Sequence, residues 1–309
     1  MNRLFRKLLV AGMASAWLLA GAAQAAEKLP VPVTASFSIL GDLVRVVGSE
    51  RVSVTTLVGP NEDAHAFAPK PADARAIAQT KLLVTNGLSF EPWAQKLAKS
   101  AGYRGETVLA SQGVKPRVMA EEKGYDDKSR HHDEADPHAW QNPGNVVLYV
   151  RNIAAVLSQV DPAGSAVYQA NTNAYIKELQ TLDAWATAQF AAIPVAKRKV
   201  ITSHDAFGHF AAHYQISFLA PQGVSTDAEP SAKQVAQLIK QIQREKIRAV
   251  FVENMSNPKL LAQLSKDAGV GLGAPLYSDA LSSIDQPGAT YLLMMRHNVT
   301  QLAAGMKLN

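Results

Sequence analysis

The chain has no cysteine in its 309 residues. Disulfides are excluded, and so is any thiolate metal site, which leaves His, Asp and Glu to hold a cation. A lipid-modified anchor, which needs a cysteine at the processing point, is not expected. Long apolar runs are also scarce. The one candidate, Leu8 to Ala20, follows Arg3, Arg6 and Lys7 and precedes Ala23-Gln24-Ala25. That is the layout of a secretory signal peptide cut near Ala25, and it is shorter than the roughly 20 residues a spanning helix needs.

An excess of one charge is missing too. Residues 1–25 carry three of the 31 Lys and Arg and none of the 26 acids, so the remainder has 28 − 26 = +2. The basic pI therefore owes much to the leader, and neither nucleic acid nor a membrane surface is indicated as a partner. These absences point to a soluble, exported monomer in a bacterial periplasm with no membrane anchor. The remaining 309 − 25 = 284 residues suit two domains.

What is present is an alternation of strand and helix patterns. V-T-A-S-F-S-I-L, V-S-V-T-T-L-V, K-L-L-V-T-N-G and E-T-V-L-A-S read as strands, separated by helical segments. Such alternation implies parallel pairing and an α/β layer fold. Residues 112–136 interrupt the rhythm with a polar, charged stretch that reads as a mobile surface loop. Asp161 and Pro162 then resemble a helix start and Pro194 a stop, with Tyr168, Tyr175, Leu179, Leu182, Ala186 and Phe190 at helical spacing between them. About 30 residues of helix would reach roughly 45 Å, enough for a rigid strut between lobes.

Beyond it K-V-I-T-S-H, I-S-F-L-A and R-A-V-F-V-E restart the pattern. The expected organisation is a signal peptide at 1–25, an N-terminal α/β lobe at 26–160, a linking helix at 161–193 and a C-terminal α/β lobe at 194–309.

Open parallel sheets bind ligands beyond the carboxyl ends of their strands. His65 follows V-S-V-T-T-L-V, His204 ends K-V-I-T-S-H, Asp279 ends a short extended run, and His138 in D-P-H-A-W lies on a loop returning to helix. Three imidazoles and a carboxylate suit a borderline cation such as Zn²⁺. An isolated strand-end histidine is more often only hydrogen-bonded, so position alone leaves the two readings level. His209 and His213 form an H-x-x-x-H pair without the adjacent Glu of a metalloprotease helix, and read as a solvated face. His297 reads as structural or exposed. His131 and His132, among Asp126, Asp127, Asp133 and Glu134, belong either to a solvated loop or to one that attracts cations weakly.

The segments G-P-N-E-D-A-H-A-F-A-P-K-P-A-D-A, V-T-N-G-L-S-F-E-P-W, D-P-H-A-W-Q-N-P, T-S-H-D-A-F-G-H-F and L-Y-S-D-A-L resemble, in order and across nearly the whole exported chain, the zinc/manganese solute-binding proteins of ABC importers (cluster A-I). The resemblance implies two Rossmann-like lobes with parallel sheets, one long rigid helix joining them, and a metal in the interlobe cleft. It implies His65 and His138 as ligands from the first lobe and His204 and Asp279 from the second. It further implies a membrane permease as partner and no enzymatic activity.

Manganese binders of that family commonly have Glu at the third ligand and zinc binders His, so His204 favours zinc, with manganese the alternative ion. Asp136, Asp205 and Glu253 are candidates to orient the ligand imidazoles, although Glu253 would serve equally as a cap for the N-P-K-L-L helix. This chain departs from the family at His209, where an aromatic residue is usual, and at Asn142, where Asp or Ser is usual. The acidic His-bearing loop is also short. A zinc hydrolase with water in place of Asp279 is the rival of a different class, and a surface adhesin or metal buffer without a transporter is a third.

Overall fold

The structure is a computed structural model that describes residues 29–117, 135–226 and 229–309. The expected signal peptide, His131, His132 and most of the loop expected at 112–136 lie outside the described residues.

The first lobe carries β1 (Val31–Phe37), α1 (Ser38–Gly48), β2 (Val52–Val58), α2 (Pro71–Gln79), β3 (Leu82–Thr85), α3 (Pro92–Ser100) and β4 (Glu106–Leu109). Its sheet is fully parallel in the order β2-β1-β3-β4, with Ala35 opposite both Thr56 and Val84. The central strands β1 and β3 are buried on both faces, which is why their sequences read as near-continuous apolar runs. The first helix begins at Ser38, directly after β1, earlier than the pattern suggested. Phe37 supplies no side-chain cap, so S-I-L carries no local sign of where strand becomes helix.

Next come α4 (Pro143–Val160) and α5 (Ser165–Ala191). Asn142 accepts a hydrogen bond from the Gly144 N–H at 2.8 Å, so the family departure at this position still caps α4. The long helix expected from Asp161 starts instead at Ser165, after a 3-10 turn over Pro162–Gly164. The Asp161 carboxylate does not cap it. It accepts from Arg51 Nη2 at 2.6 Å and from the Tyr168 hydroxyl at 2.8 Å. The helix is no free-standing strut either: it packs along α4, α1 and α9 (Tyr291–Lys307). Tyr168, Leu179, Leu182, Ala186 and Phe190 form its buried face.

The second lobe contains β5 (Lys199–Ile201), α6 (Gly208–Tyr214), β6 (Ser217–Leu219), α7 (Ala232–Glu245), α8 (Pro258–Ala268) and then α9. Its regular sheet is the parallel pair β5-β6. R-A-V-F-V-E, expected as a strand, joins only through isolated parallel bridges, Ile201 to Val250, Val250 to Leu272 and Glu253 to Leu276. Backbone bonds from Phe251 to Ile201 (2.9 Å) and from Leu276 to Val252 (2.9 Å) still carry the layer across, and so place Glu253 and the residues after Leu276 at its carboxyl edge.

The main core does not stop at the lobe boundary. Phe37, Trp140, Tyr149, Tyr168, Leu182, Phe210, Tyr291 and Met295 belong to one apolar cluster, while Ile201, Leu238, Ile242, Val250 and Leu264 form a smaller one under α7 and α8. Leu182 is fully buried in the shared cluster. Leu182→Ala is expected to cost about 2–5 kcal/mol through lost burial and the cavity left behind. The loss should appear in urea unfolding as one earlier transition of both lobes, and melting of one lobe alone would contradict a shared core.

Candidate metal centre

Each candidate side chain is placed by its own local device. His65 lies on the loop after β2, where Asp63 Oδ1 accepts from the His65 N–H (2.9 Å) and the Ala66 N–H (3.4 Å) and tightens the turn. Trp93 Nε1 donates to the Ala64 carbonyl (2.8 Å), and the His65 ring meets Phe90 edge-on at 4.7 Å. His138 opens the 3-10 turn Ala139–Gln141 ahead of α4. The preceding Pro137 carbonyl accepts from Asn86 Nδ2 at 2.9 Å. His204 follows β5, and Asp279 follows the Glu253–Leu276 bridge.

These four side chains converge. One ligand atom from each of His65, His138, His204 and Asp279 lies within 4.8 Å of the others. His65 Nε2 stands 3.3 Å from His138 Nε2 and 3.2 Å from Asp279 Oδ2. His204 Nε2 is 3.0 Å from Asp279 Oδ2, and His138 Nε2 is 3.6 Å from Asp279 Oδ1. A tetrahedron with metal–ligand bonds of about 2.0–2.1 Å has edges of roughly 3.3–3.4 Å, and the His65–His138 and His65–Asp279 separations of 3.3 and 3.2 Å come close to that. Asp279 Oδ1 is buried without a hydrogen bond. A buried carboxylate oxygen in that state calls for a cation.

The outer nitrogens face carboxylates in two of the three cases. Asp136 Oδ1 lies 2.9 Å from His138 Nδ1 and also accepts the His138 N–H at 3.0 Å, while Arg117 donates to its other oxygen at 3.3 Å. Glu253 Oε2 lies 2.5 Å from His204 Nδ1, off the line of an aligned N–H bond, and its Oε1 accepts from the N–H groups of Ser203 (2.8 Å) and His204 (3.0 Å). The α8 cap that Glu253 might have supplied is provided by Asn257, whose side chain accepts from the Lys259 N–H. Among the described residues Asp205 touches none of the cluster imidazoles: its N–H donates to the Gly223 carbonyl, and burial pushes its carboxyl up.

His209 corrects the reading of a solvated pair. It is buried, with Nε2 3.2 Å from the Asp136 carbonyl, whereas His213 is exposed as expected and lies 2.7 Å from Asp183. The H-x-x-x-H spacing does not carry this difference, because what decides it is the Asp136 turn packed against α6. His297 bonds the Pro275 carbonyl at 2.8 Å.

Sequence reasoning did not single out Trp140 and Gln141. Trp140 Nε1 (2.9 Å) and Gln141 Nε2 (2.8 Å) both donate to the Ser278 carbonyl, and so tie the turn beside His138 to the residue before Asp279. Their only signal was their place beside His138. Nothing local marks a partner 137 residues away.

Electrostatics follow from burial plus proximity. Burial disfavours charge on His138, but Asp279 and Asp136 outweigh it and raise its pKa to about 9. Burial likewise opposes charge on His204, and Glu253 and Asp279 overcome it and lift this group well above the usual imidazole range. Burial would raise Asp279, yet His204 and His138 hold it well below the usual carboxylate range. The neighbouring carboxylates thus favour the protonated imidazole at His138 and His204, and those imidazoles favour the ionised form of Asp279.

A histidine raised in the folded state contributes stability that is complete below its unfolded pKa, about 6.5, and is lost as pH climbs through the folded value. In a strong chelator, the unfolding free energy is expected to fall between about pH 6.5 and 9, and Asp279→Asn should flatten that slope. Denaturant titrations across this window check it, and a level profile for the unaltered chain would refute it.

Two α/β lobes with imidazoles and a carboxylate converging between them have the architecture of a metal-binding receptor of the periplasmic solute-binding class. Residues 33–305 match the family described as ZnuA, zinc-uptake complex component A, periplasmic. The chain belongs to that family.

It is 31% identical over 274 residues to the manganese-binding lipoprotein MntA of Halalkalibacterium halodurans, covering 89% of this chain and 88% of that one. It is similar in structure to the periplasmic zinc-binding protein TroA of Treponema pallidum (TM-score 0.81, 25% identity, 90% of this chain and 99% of that one). It is also similar to the manganese-bound periplasmic metal-binding protein of Candidatus Liberibacter asiaticus (TM-score 0.78, 26% identity, 89% and 99%). Members act as non-catalytic receptors that pair with the membrane permease of an ABC metal importer, which sets aside the hydrolase reading. No helix among the described residues is long and apolar enough to cross a membrane.

Proposed function

We propose that this protein captures Zn²⁺ in the periplasm and delivers it to its permease, with His65, His138, His204 and Asp279 as the four ligands. The observation that carries the reading is the donor set: three imidazole nitrogens and one carboxylate, with one ligand atom of each within 4.8 Å of the others. Nitrogen-rich, four-coordinate surroundings suit Zn²⁺, whereas Mn²⁺ favours oxygen and more ligands. Asp136 and Glu253 hold the rings of His138 and His204 in orientation. With protein in every tetrahedral position, no place is kept for the water a catalytic zinc requires.

Manganese is the second reading, supported by the names of relatives such as MntA and by the manganese held in the Liberibacter protein. Offered equal Zn²⁺ and Mn²⁺, residues 26–309 are expected to retain one zinc in native mass spectrometry, and His204→Ala to lose it. Retained manganese would keep the receptor and overturn the choice of ion. No retained metal would overturn the receptor reading itself.

The same site predicts the pH dependence of loading. Protons on His138 and His204 must leave before the ion binds, so about two are released per ion near pH 7. Affinity should then fall about 100-fold for each pH unit lost there. Calorimetry in buffers of different ionisation enthalpy counts the protons, and a count near zero would rule out this ligand set.

A further inference from the structure

The two sides of the cluster are closed by different kinds of contact. On the His138–Asp279 side everything is buried: Trp140 and Gln141 donate to Ser278, the Tyr291 hydroxyl donates to the Trp140 carbonyl (2.8 Å), and the Leu281 N–H donates to Ser38 Oγ (2.9 Å). These bonds sit inside the core shared by both lobes. On the His65 side one backbone bond, from the Asn61 N–H to the Leu281 carbonyl (2.9 Å), anchors the start of the loop, and the side-chain contacts are polar and half-buried. Thr226 Oγ1 donates to Asp63 Oδ2 at 2.7 Å, and Asn254 Nδ2 donates to Asn61 Oδ1 at 2.8 Å. Asp63 and Asn61 lie on the first-lobe loop that carries His65, and their partners lie on the second lobe.

Two further observations mark this side as the opening. The His65 side chain keeps 6% exposure, while those of His138, His204 and Asp279 have 0%. A cavity of about 170 Å³ lies against it, lined by Asp63, Gln222, Thr226, Glu229, Met255 and Ser256. Its two carboxylates give an incoming cation a favourable approach.

We propose that the Asp63–Thr226 and Asn61–Asn254 hydrogen bonds form a latch over His65, and that the metal ion enters and leaves past this latch while the His138–Asp279 side stays fixed. The proposal rests on the receptor reading above. Two half-buried side-chain hydrogen bonds are individually weak, so the loop beyond the Asn61 backbone anchor can open without disturbing the buried core. Asp63 has a second duty, because its other oxygen accepts the His65 N–H. Thr226 and Asn61 are therefore the cleaner residues to change.

Thr226→Val keeps the side-chain shape and removes the donor. Asn61→Gly removes the acceptor and tolerates the left-handed backbone found there (φ +57°). Stopped-flow measurements with Zn²⁺ would follow release into excess chelator and uptake from a fluorescent chelator. The latch predicts that each variant, and more so the pair, speeds both release and uptake by about 3- to 10-fold and leaves Kd within about twofold. A rise in the release rate alone, with Kd weakened to match, would make these residues mere supports of the site and overturn the latch. Unchanged rates with one zinc still bound would overturn it too. Failure of the unaltered protein to hold either zinc or manganese would instead remove the receptor reading on which the proposal stands.

Discussion

Asp279 is the constraint around which the rest of the protein is arranged. Its carboxylate is fully buried, and a lone charge there would cost several kcal/mol after relaxation. Only positive charge within contact distance makes that position tolerable. His204 belongs to the same lobe, but His65 and His138 come from the other, so the buried charge is satisfied only when the lobes are together. The carboxylates favour protons on the imidazoles of His138 and His204. A divalent ion replaces them and brings more charge to the same point. The contest between proton and metal is thus built into the requirement to bury Asp279.

The scaffold makes that contest occur at fixed geometry. Binding proteins with two lobes can close by large hinge motions when few contacts cross between them. Here an apolar cluster runs through β1, α1, α4, α5 and α9, and Tyr291 on α9 donates to the Trp140 carbonyl, two residues from His138. Its backbone N–H is also accepted by buried Asp42 of α1, at 2.8 Å. Moving the lobes far apart would expose this surface. The ligand spacing is set by close-packed core and not by the ion, and that is the condition under which coordination geometry can select between metals. Local opening of one loop remains compatible with it, because the His65 loop is held by polar contacts at the edge of the core.

The sequence was informative where chemistry is local. Strand–helix alternation is read from period and punctuation, and both lobes and their parallel pairing followed from it. His65, His204 and Asp279 stood at strand ends, the places where an α/β layer presents side chains to a ligand. What was not legible depends on residues distant in the chain. The R-A-V-F-V-E segment has the β-branched and aromatic content of a strand, yet its neighbours meet it at single bridges, which no local pattern encodes. Asp161 has every mark of a helix cap, but Arg51 and Tyr168 claim its carboxylate first. His209 and His213 share a spacing and differ in burial because only one meets the Asp136 turn.

That turn carries the argument one step further. Asp136 accepts from the backbone and approaches the ring of His138, receives Arg117, and offers its carbonyl to His209. Pro137 is pinned by Asn86, and Asn86 in turn receives the Tyr149 hydroxyl at 2.5 Å and gives its N–H to buried Glu91 at 2.5 Å. Burial raises Glu91 to about 7, against the pull of its hydrogen bonds to Asn86 and Ser36. A network of this kind is costly to leave half-made. It is therefore a poor choice for a segment that must move and a good one for a segment that must not. The side of the site it supports is the same side that Trp140 and Gln141 bind to Ser278. Rigidity is concentrated behind His138, and the loop that carries His65 is left with the more exposed polar contacts.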